Sequence, residues 1–252
     1  MDADEERPAG PLLDRFIADA GRVVPLEAVW VHGSLALGDY RHGRSDLDLV
    51  ALVASAVSDS QRRQLGLLHR TLIADVPGAS LLHCSYVVRS TLPEVGRDHV
   101  TWAQGRLFER PVTAVGRREL STGGLSLLGP GPAGLVPEVS DQELAEFIRS
   151  DLKDYWYPAS AKPSLWLRDV WVDHGLLTLA RASVTLREGR LITKGEALEV
   201  LAESGAPAEV VADIHRRRYG ADPRPASPKW RVQRGRLARS FVRTGIERTL
   251  SQ

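Results

Sequence analysis

Asp46 and Asp48 stand one residue apart at the head of the apolar run DLDLVALV (46–53), and Gly33-Ser34 follows directly on another, AVWVH (28–32). Residues i and i+2 of a strand leave the same face, so the two carboxylates can grip one or two Mg²⁺ or Mn²⁺ ions through hard oxygens. Such ions neutralise phosphate charge and align the attacking and leaving oxygens of a phosphoryl transfer. Glycine permits close backbone approach, so a Gly-Ser turn after a strand brings N–H groups and the Ser34 hydroxyl onto a phosphate. Ser45 is placed to cap the turn that presents the aspartates. Either pair alone is common in loops for reasons of turn geometry. Together, each tied to a strand, they point to metal-assisted chemistry on a nucleotide.

The elements that must position these residues follow from periodicity. PLLDRFIADAGRVV (11–24) has helical spacing, 28–31 and 46–53 are strand-like, and SDSQRRQLGLLHRTLIADVPG (58–78) reads as a crossover helix between an N-cap serine and Pro77-Gly78. SLLHCSYVV (80–88) is a third strand, and 106–127 is mixed, with the β-prone RPVTAV at its centre. LLGPGPAGLVPEVS (127–140), rich in proline and glycine, reads as a linker. Beyond it the pattern is helical. Capping boxes fall at Ser140/Glu143 and Thr193/Glu196, and a long helix over 164–189 stops at Gly189. Pro207 opens a helix that Gly220 ends, and Ser227-Pro228 begins the last one. The expected fold is α+β: a mixed sheet with flanking helices over 1–136, then an α-helical bundle over 137–252, with no internal repeat.

A length of 252 residues accommodates two domains with cores of their own. The single cysteine, Cys84, excludes an intramolecular disulfide and Cys-rich zinc patterns. No apolar run approaches the roughly 18 residues that span a bilayer. MDADEERPAG lacks the basic and apolar regions of a signal peptide, so a cytoplasmic location without a membrane partner is expected. The basic residues are almost all arginine and gather over 215–248. That segment reads first as a solvated helix face and second as a surface for phosphates, so nucleic acid is not the expected partner. A monomer is expected.

HGSLALGDYRHGRSDLDLV (32–50) resembles the Gly-Ser…Asp-x-Asp signature of the polymerase-beta-like nucleotidyltransferase superfamily. LLTLARASVTLREGRLITKGEALEVL (176–201) is similar to the helical domain of the aminoglycoside (3'')-nucleotidyltransferases, the streptomycin and spectinomycin adenylyltransferases, and GLSLLGPGP (124–132) resembles the stretch before their interdomain helix. The resemblance implies Mg²⁺- or Mn²⁺-dependent transfer of AMP, or another nucleoside monophosphate, from ATP or a like triphosphate to a hydroxyl of a small molecule. Aminoglycosides, and with them antibiotic resistance, come within what it implies. It places Asp46 and Asp48 on the metal and Gly33 and Ser34 on the nucleotide. It has Arg181 and Lys194 reach across the domain cleft to the phosphates, while Tyr219, before Gly220, positions the triphosphate. Each of these last three also has a plain structural reading. Arg181 would snorkel from a core helix, Lys194 would sit in an exposed first helical turn, and Tyr219 would cover a helix end. A cation in a first turn conflicts mildly with the helix dipole, which favours a functional Lys194.

The chain departs from that family on its third strand. The third carboxylate, metal ligand and base in the adenylyltransferases, is replaced by His83, and SLLHCSYVV contains no carboxylate. Three readings stay open: His83 is the base, a carboxylate such as Asp75 or Glu94 arrives from a flanking loop, or the site binds nucleotide without turnover as a regulatory protein. An imidazole suits proton transfer near neutral pH but is a softer ligand than Mg²⁺ prefers. A half-buried strand histidine satisfied by a carbonyl is the structural alternative, and Cys84, on the opposite face, reads as core. For the acceptor, Trp166, Asp169 and Asp173 line one helix and would suit a polycation, or are simply a solvated face. Trp171 stands where the family's acidic contact is expected. A member that modifies protein or RNA is a third class, supported only by the basic C-terminal segment.

Overall fold

The computed structural model describes residues 9–221 and 226–251, so the acidic segment 1–8 on which the leader reading rests lies outside the described residues. The chain divides into two compact units, Met1–Val139 and Ser140–Gln252.

In the first unit, six strands among the described residues form one mixed sheet: β1 (Leu26–His32), β2 (Leu47–Val53), β3 (Leu82–Val88), β4 (Asp98–Ala103), β5 (Arg106–Pro111) and β6 (Leu125–Leu128), in the order β5-β4-β3-β2-β1-β6. β2 and β3 run parallel and every other neighbouring pair is antiparallel. The parallel pair requires a crossover, supplied by α2 (Asp59–Asp75), which Ser58 and Gln61 open with a capping box. Strand alternation divides the sheet into two faces. Val29, Val31, Leu47, Leu49, Cys84 and Tyr86 pack with Leu65 and Leu72 of α2 and with Phe16 of α1 (Gly10–Gly21). Ala28, Trp30, Val50, Leu52 and Val87 form the other core with Leu120 of α3 (Ala114–Gly123) and with Val136. Buried Arg117 ties α3 to the loop after β3 by donating to the carbonyls of Leu92 and Glu94. The third strand starts two residues later than the sequence reading because Ala79–Leu81 form a 3₁₀ turn after Gly78.

The second unit is helical. α4 (Asp141–Asp151) carries the Ser140/Glu143 capping box and continues through a π-turn over Leu152–Trp156 into α5 (Tyr157–Ser160). α6 (Asp169–Glu188), α7 (Lys194–Glu203), α8 (Ala208–Tyr219) and α9 (Pro228–Leu250) complete it. Gly189 ends α6 in the left-handed region, and the Thr193/Glu196 box opens α7. The helix expected over 164–189 is broken at Arg168, whose backbone is extended between a 3₁₀ turn (Leu165–Leu167) and α6. The cause is Trp166, which is fully buried and donates its indole N–H to the Ala159 carbonyl at 3.0 Å. A Cβ on Gly175 would come within 2.5 Å of the Trp166 indole and one on Gly235 within 2.5 Å of the Trp166 carbonyl oxygen, so Gly175 leaves the space the ring fills and Gly235 lets the two backbones approach. Among the described residues no helix is long and apolar enough to cross a membrane.

Candidate active site

The second sheet face changes character at one end. β1 pairs His32 with Asp48 of β2, and β2 pairs Asp48 with His83 of β3, so three polar side chains form one row across three strands. Leu47 and Leu49 point into the opposite core, which leaves Asp46 and Asp48 on the face shared with His32 and His83. Both aspartates are half-buried. Ser45 is buried behind them. Its hydroxyl accepts from the Arg41 N–H at 3.0 Å and its own N–H donates to the Arg41 carbonyl at 2.9 Å, closing the turn that delivers Asp46.

Gly33 explains the Gly-Ser pair. It has φ of +67°, and a Cβ there would lie 2.9 Å from Asp48 Oδ2. Any other residue would be strained in backbone and crowd the carboxylate. The chain then makes one helical turn, with Leu37 N–H on the Gly33 carbonyl at 3.0 Å and Asp39 N–H on the Ser34 carbonyl at 2.9 Å. The turn that carries Ser34 therefore abuts Asp48.

His83 Nδ1 lies 3.4 Å from Asp48 Oδ1, and its side chain is 17% exposed. Burial pushes its pKa down, but contact with Asp48 and the charges of Asp46 and Asp48 outweigh this and leave it raised. His32 Nδ1 is 2.9 Å from Glu119 Oε2 of α3. Its pKa is likewise pushed down by burial and raised on balance by Glu119 and Asp48. Glu119 is the carboxylate near this row that sequence reasoning missed. Its signal is weak, because it arrives from a helix remote in sequence and faces a histidine. The two carboxylates considered from flanking loops do not belong here. Asp75 ends α2, which packs on the opposite sheet face, and Glu94 is exposed beyond the far end of β3, 3.6 Å from Arg97.

The same face carries a second group that the sequence did not flag. On edge strand β5, Phe108 is level with Thr101, whose hydroxyl is 3.0 Å from that of Ser85, and Arg106 and Arg110 flank the Phe108 ring at 5.4 and 5.6 Å. The charge of Arg110 is felt at both His32 and His83.

As to a metal, the donor set is two hard carboxylates beside an imidazole, and among the described residues no group of three or more His, Cys, Asp or Glu is arranged to hold an ion. A divalent cation prefers six or more oxygens. Asp46 and Asp48 thus do not make a closed protein site, and a cation on them would need further oxygens from elsewhere.

In the helical unit, Arg181 of α6 donates from Nε to the Ile192 carbonyl at 2.9 Å, in the turn that leads to Lys194, the first residue of α7. The two cations therefore belong to one α6–α7 corner. Tyr219, at the end of α8, sits against His215 with ring centroids 5.0 Å apart and under the Arg218 guanidinium. The acidic stripe expected to face an acceptor is otherwise engaged. Asp169 pairs with Arg234, Asp173 with Arg217, and Trp166 is core. Trp171 instead stacks with Tyr155 at 6.1 Å and meets Trp156 edge-on.

In sequence the chain matches no protein-family model and no curated protein. In structure it is similar to the crystal structure of spectinomycin adenyltransferase AAD(9) from Enterococcus faecialis with ATP and spectinomycin, with TM-score 0.71 and 14% identity over 94% of this chain and 97% of that one. The chain therefore shares the fold of that adenyltransferase over nearly its whole length.

Proposed function

We propose that the protein is a metal-dependent nucleotidyltransferase that moves AMP, or another nucleoside monophosphate, from a triphosphate to a hydroxyl of a small molecule. The observation that carries this reading is the fit of Gly33 against Asp48, which sets the Gly33–Ser34 turn beside the carboxylate pair; a phosphate on that turn would lie next to a cation on the pair. The structural neighbour was solved with ATP and spectinomycin, in keeping with a triphosphate and a small acceptor.

When bound, Mg²⁺ neutralises phosphate charge and lowers the barrier to attack at the α-phosphorus. Asp46 and Asp48 would hold it. The Gly33–Ser34 turn would supply N–H groups and a hydroxyl to phosphate oxygens; in the helical unit, Arg181, Lys194 and Tyr219 are the proposed phosphate contacts. His83, beside Asp48, accepts the acceptor hydroxyl's proton as the new O–P bond forms and pyrophosphate leaves with the electrons of the broken P–O bond. With Asp169 and Asp173 engaged by arginines, an acceptor less cationic than an aminoglycoside suits this chain equally well.

A second reading, nucleotide binding without turnover, is favoured by one observation: β3 brings an imidazole and no carboxylate to the row. Calorimetric titration with ATP and GTP, with and without Mg²⁺, followed by pyrophosphate release over hydroxyl-bearing acceptors that include streptomycin and spectinomycin, separates the two. Metal-dependent binding with acceptor-dependent release supports transfer. Binding with no release under any acceptor supports the second reading.

A further inference from the structure

The arginine-rich C-terminal segment is only partly accounted for by the fold. Arg234 is buried against Asp213, Arg239 donates to the Ser160 carbonyl, and Arg243 lies over the Tyr157 ring. Arg236 and Arg248 are exposed and, among the described residues, take part in no ion pair or side-chain hydrogen bond. Both line a cavity of about 870 Å³ that lies wholly within the helical unit, between α6, α7 and α9.

Helical spacing organises that cavity. Arg236, Ser240, Thr244 and Arg248 recur every four residues and so form one row of hydrogen-bond donors along α9, about 18 Å from first to last at 1.5 Å per residue. The adjacent row, with Leu237 and Phe241, faces Leu179 of α6 and Leu201 of α7. Leu237 and Phe241 are half-buried, while Ala238, Val242 and Ile246 on the next stripe are core. The cavity thus has an apolar floor, one wall of hydroxyls, and a guanidinium at each end of that wall.

We infer that this cavity binds an amphipathic anion, a single alkyl chain bearing a phosphate or carboxylate, with the chain on the leucine and phenylalanine floor and the headgroup on Arg236 or Arg248. The volume falls in the range of small-molecule sites, which combine an apolar lining with a few placed polar groups. A guanidinium forks onto either headgroup through paired N–H bonds. Single-stranded nucleic acid fits less well, because the floor offers one aromatic ring where a stacking platform needs a succession of them. The site is independent of the proposed transfer chemistry and uses none of its residues.

The test is calorimetric titration of the full chain, at monomeric amphiphile concentrations, with dodecyl phosphate, dodecyl maltoside, inorganic phosphate and a single-stranded oligothymidine. Dodecyl phosphate is expected to bind one to one, at least about tenfold tighter than dodecyl maltoside, and inorganic phosphate alone not to bind. The double variant Arg236→Gln/Arg248→Gln, both positions being exposed, should fold normally and lose about tenfold or more for dodecyl phosphate with no change for the maltoside. Ser183→Trp, which fills the cavity from α6, should lose both. Equal affinity for the neutral and anionic amphiphiles, unchanged affinity in the double variant, preferential binding of the oligothymidine, or no binding of dodecyl phosphate would each overturn the inference.

Discussion

At the sheet end, Asp46 and Asp48 are half-exposed and Asp48 meets an imidazole at 3.4 Å. In the helical unit, Asp213 is buried beneath three guanidiniums, those of Arg216, Arg217 and Arg234, the last of them completely enclosed. Both clusters are dense in charge, but the Asp48 side chain is 33% exposed where that of Asp213 is 2%. Burial pushes the Asp213 carboxyl up, but its bonds to Arg234 and Arg217 hold it below the ordinary range. A carboxylate so paired is committed to the fold, since removing one partner of a buried pair strands the other. Asp46 and Asp48 stay within reach of solvent, and so of a cation or a cationic group of a substrate. Exposure, more than residue type, separates the two.

The comparison breaks most sharply at the carboxylates themselves. Asp46→Asn/Asp48→Asn should abolish metal-dependent triphosphate binding and turnover while leaving the melting temperature nearly unchanged, because it keeps side-chain volume at two half-buried positions. A large fall in melting temperature would make the pair structural. Next in size, His83→Ala should lower kcat by roughly 10² to 10⁴, the worth of a general base, with little change in nucleotide affinity. An unaltered kcat would remove His83 from the chemistry. On the other side of the comparison, Asp213→Ala should cost about 3–5 kcal/mol in denaturant unfolding, the usual loss when a buried pair is broken, and an effect below about 1 kcal/mol would contradict the contrast.

A last effect concerns pH. His69 is buried, lies 2.8 Å from the Tyr86 hydroxyl, stacks on Trp102 and has its pKa pushed down by burial to about 3. Its folded pKa is below its unfolded one, so its contribution is present above about pH 6.5 and is lost as the pH falls toward 3, by at most about 1.4 kcal/mol per pH unit. His69→Gln should flatten the stability profile in that window relative to the wild type. Parallel profiles would show that His69 titrates in the fold.

Much of this was legible in the residues. Capping boxes at Ser140 and Thr193 and the stop at Gly189 are local devices, and each stands where the spacing put it. The row from His32 through Asp48 to His83 was half legible: alternation set Asp46 and Asp48 on one face, but only strand register brings His32 alongside. Glu119, Arg106 and Arg110 were not legible, because their places depend on pairings made across the sheet. The break at Arg168 was hidden for a similar reason. A helical pattern cannot reveal that the Trp166 ring turns inward to the space left at Gly175.

The proposed role of Asp46 and Asp48 is to support transfer of a nucleoside monophosphate to a small hydroxyl-bearing acceptor. Mass spectrometry of acceptors incubated with ATP, Mg²⁺ and either the wild-type chain or Asp46→Asn/Asp48→Asn examines that role. An acceptor heavier by one AMP residue, with an equivalent of pyrophosphate, is expected in the wild type alone. Adduct formed equally by the double variant, or ATP bound by the wild type with no adduct on any acceptor, would contradict it.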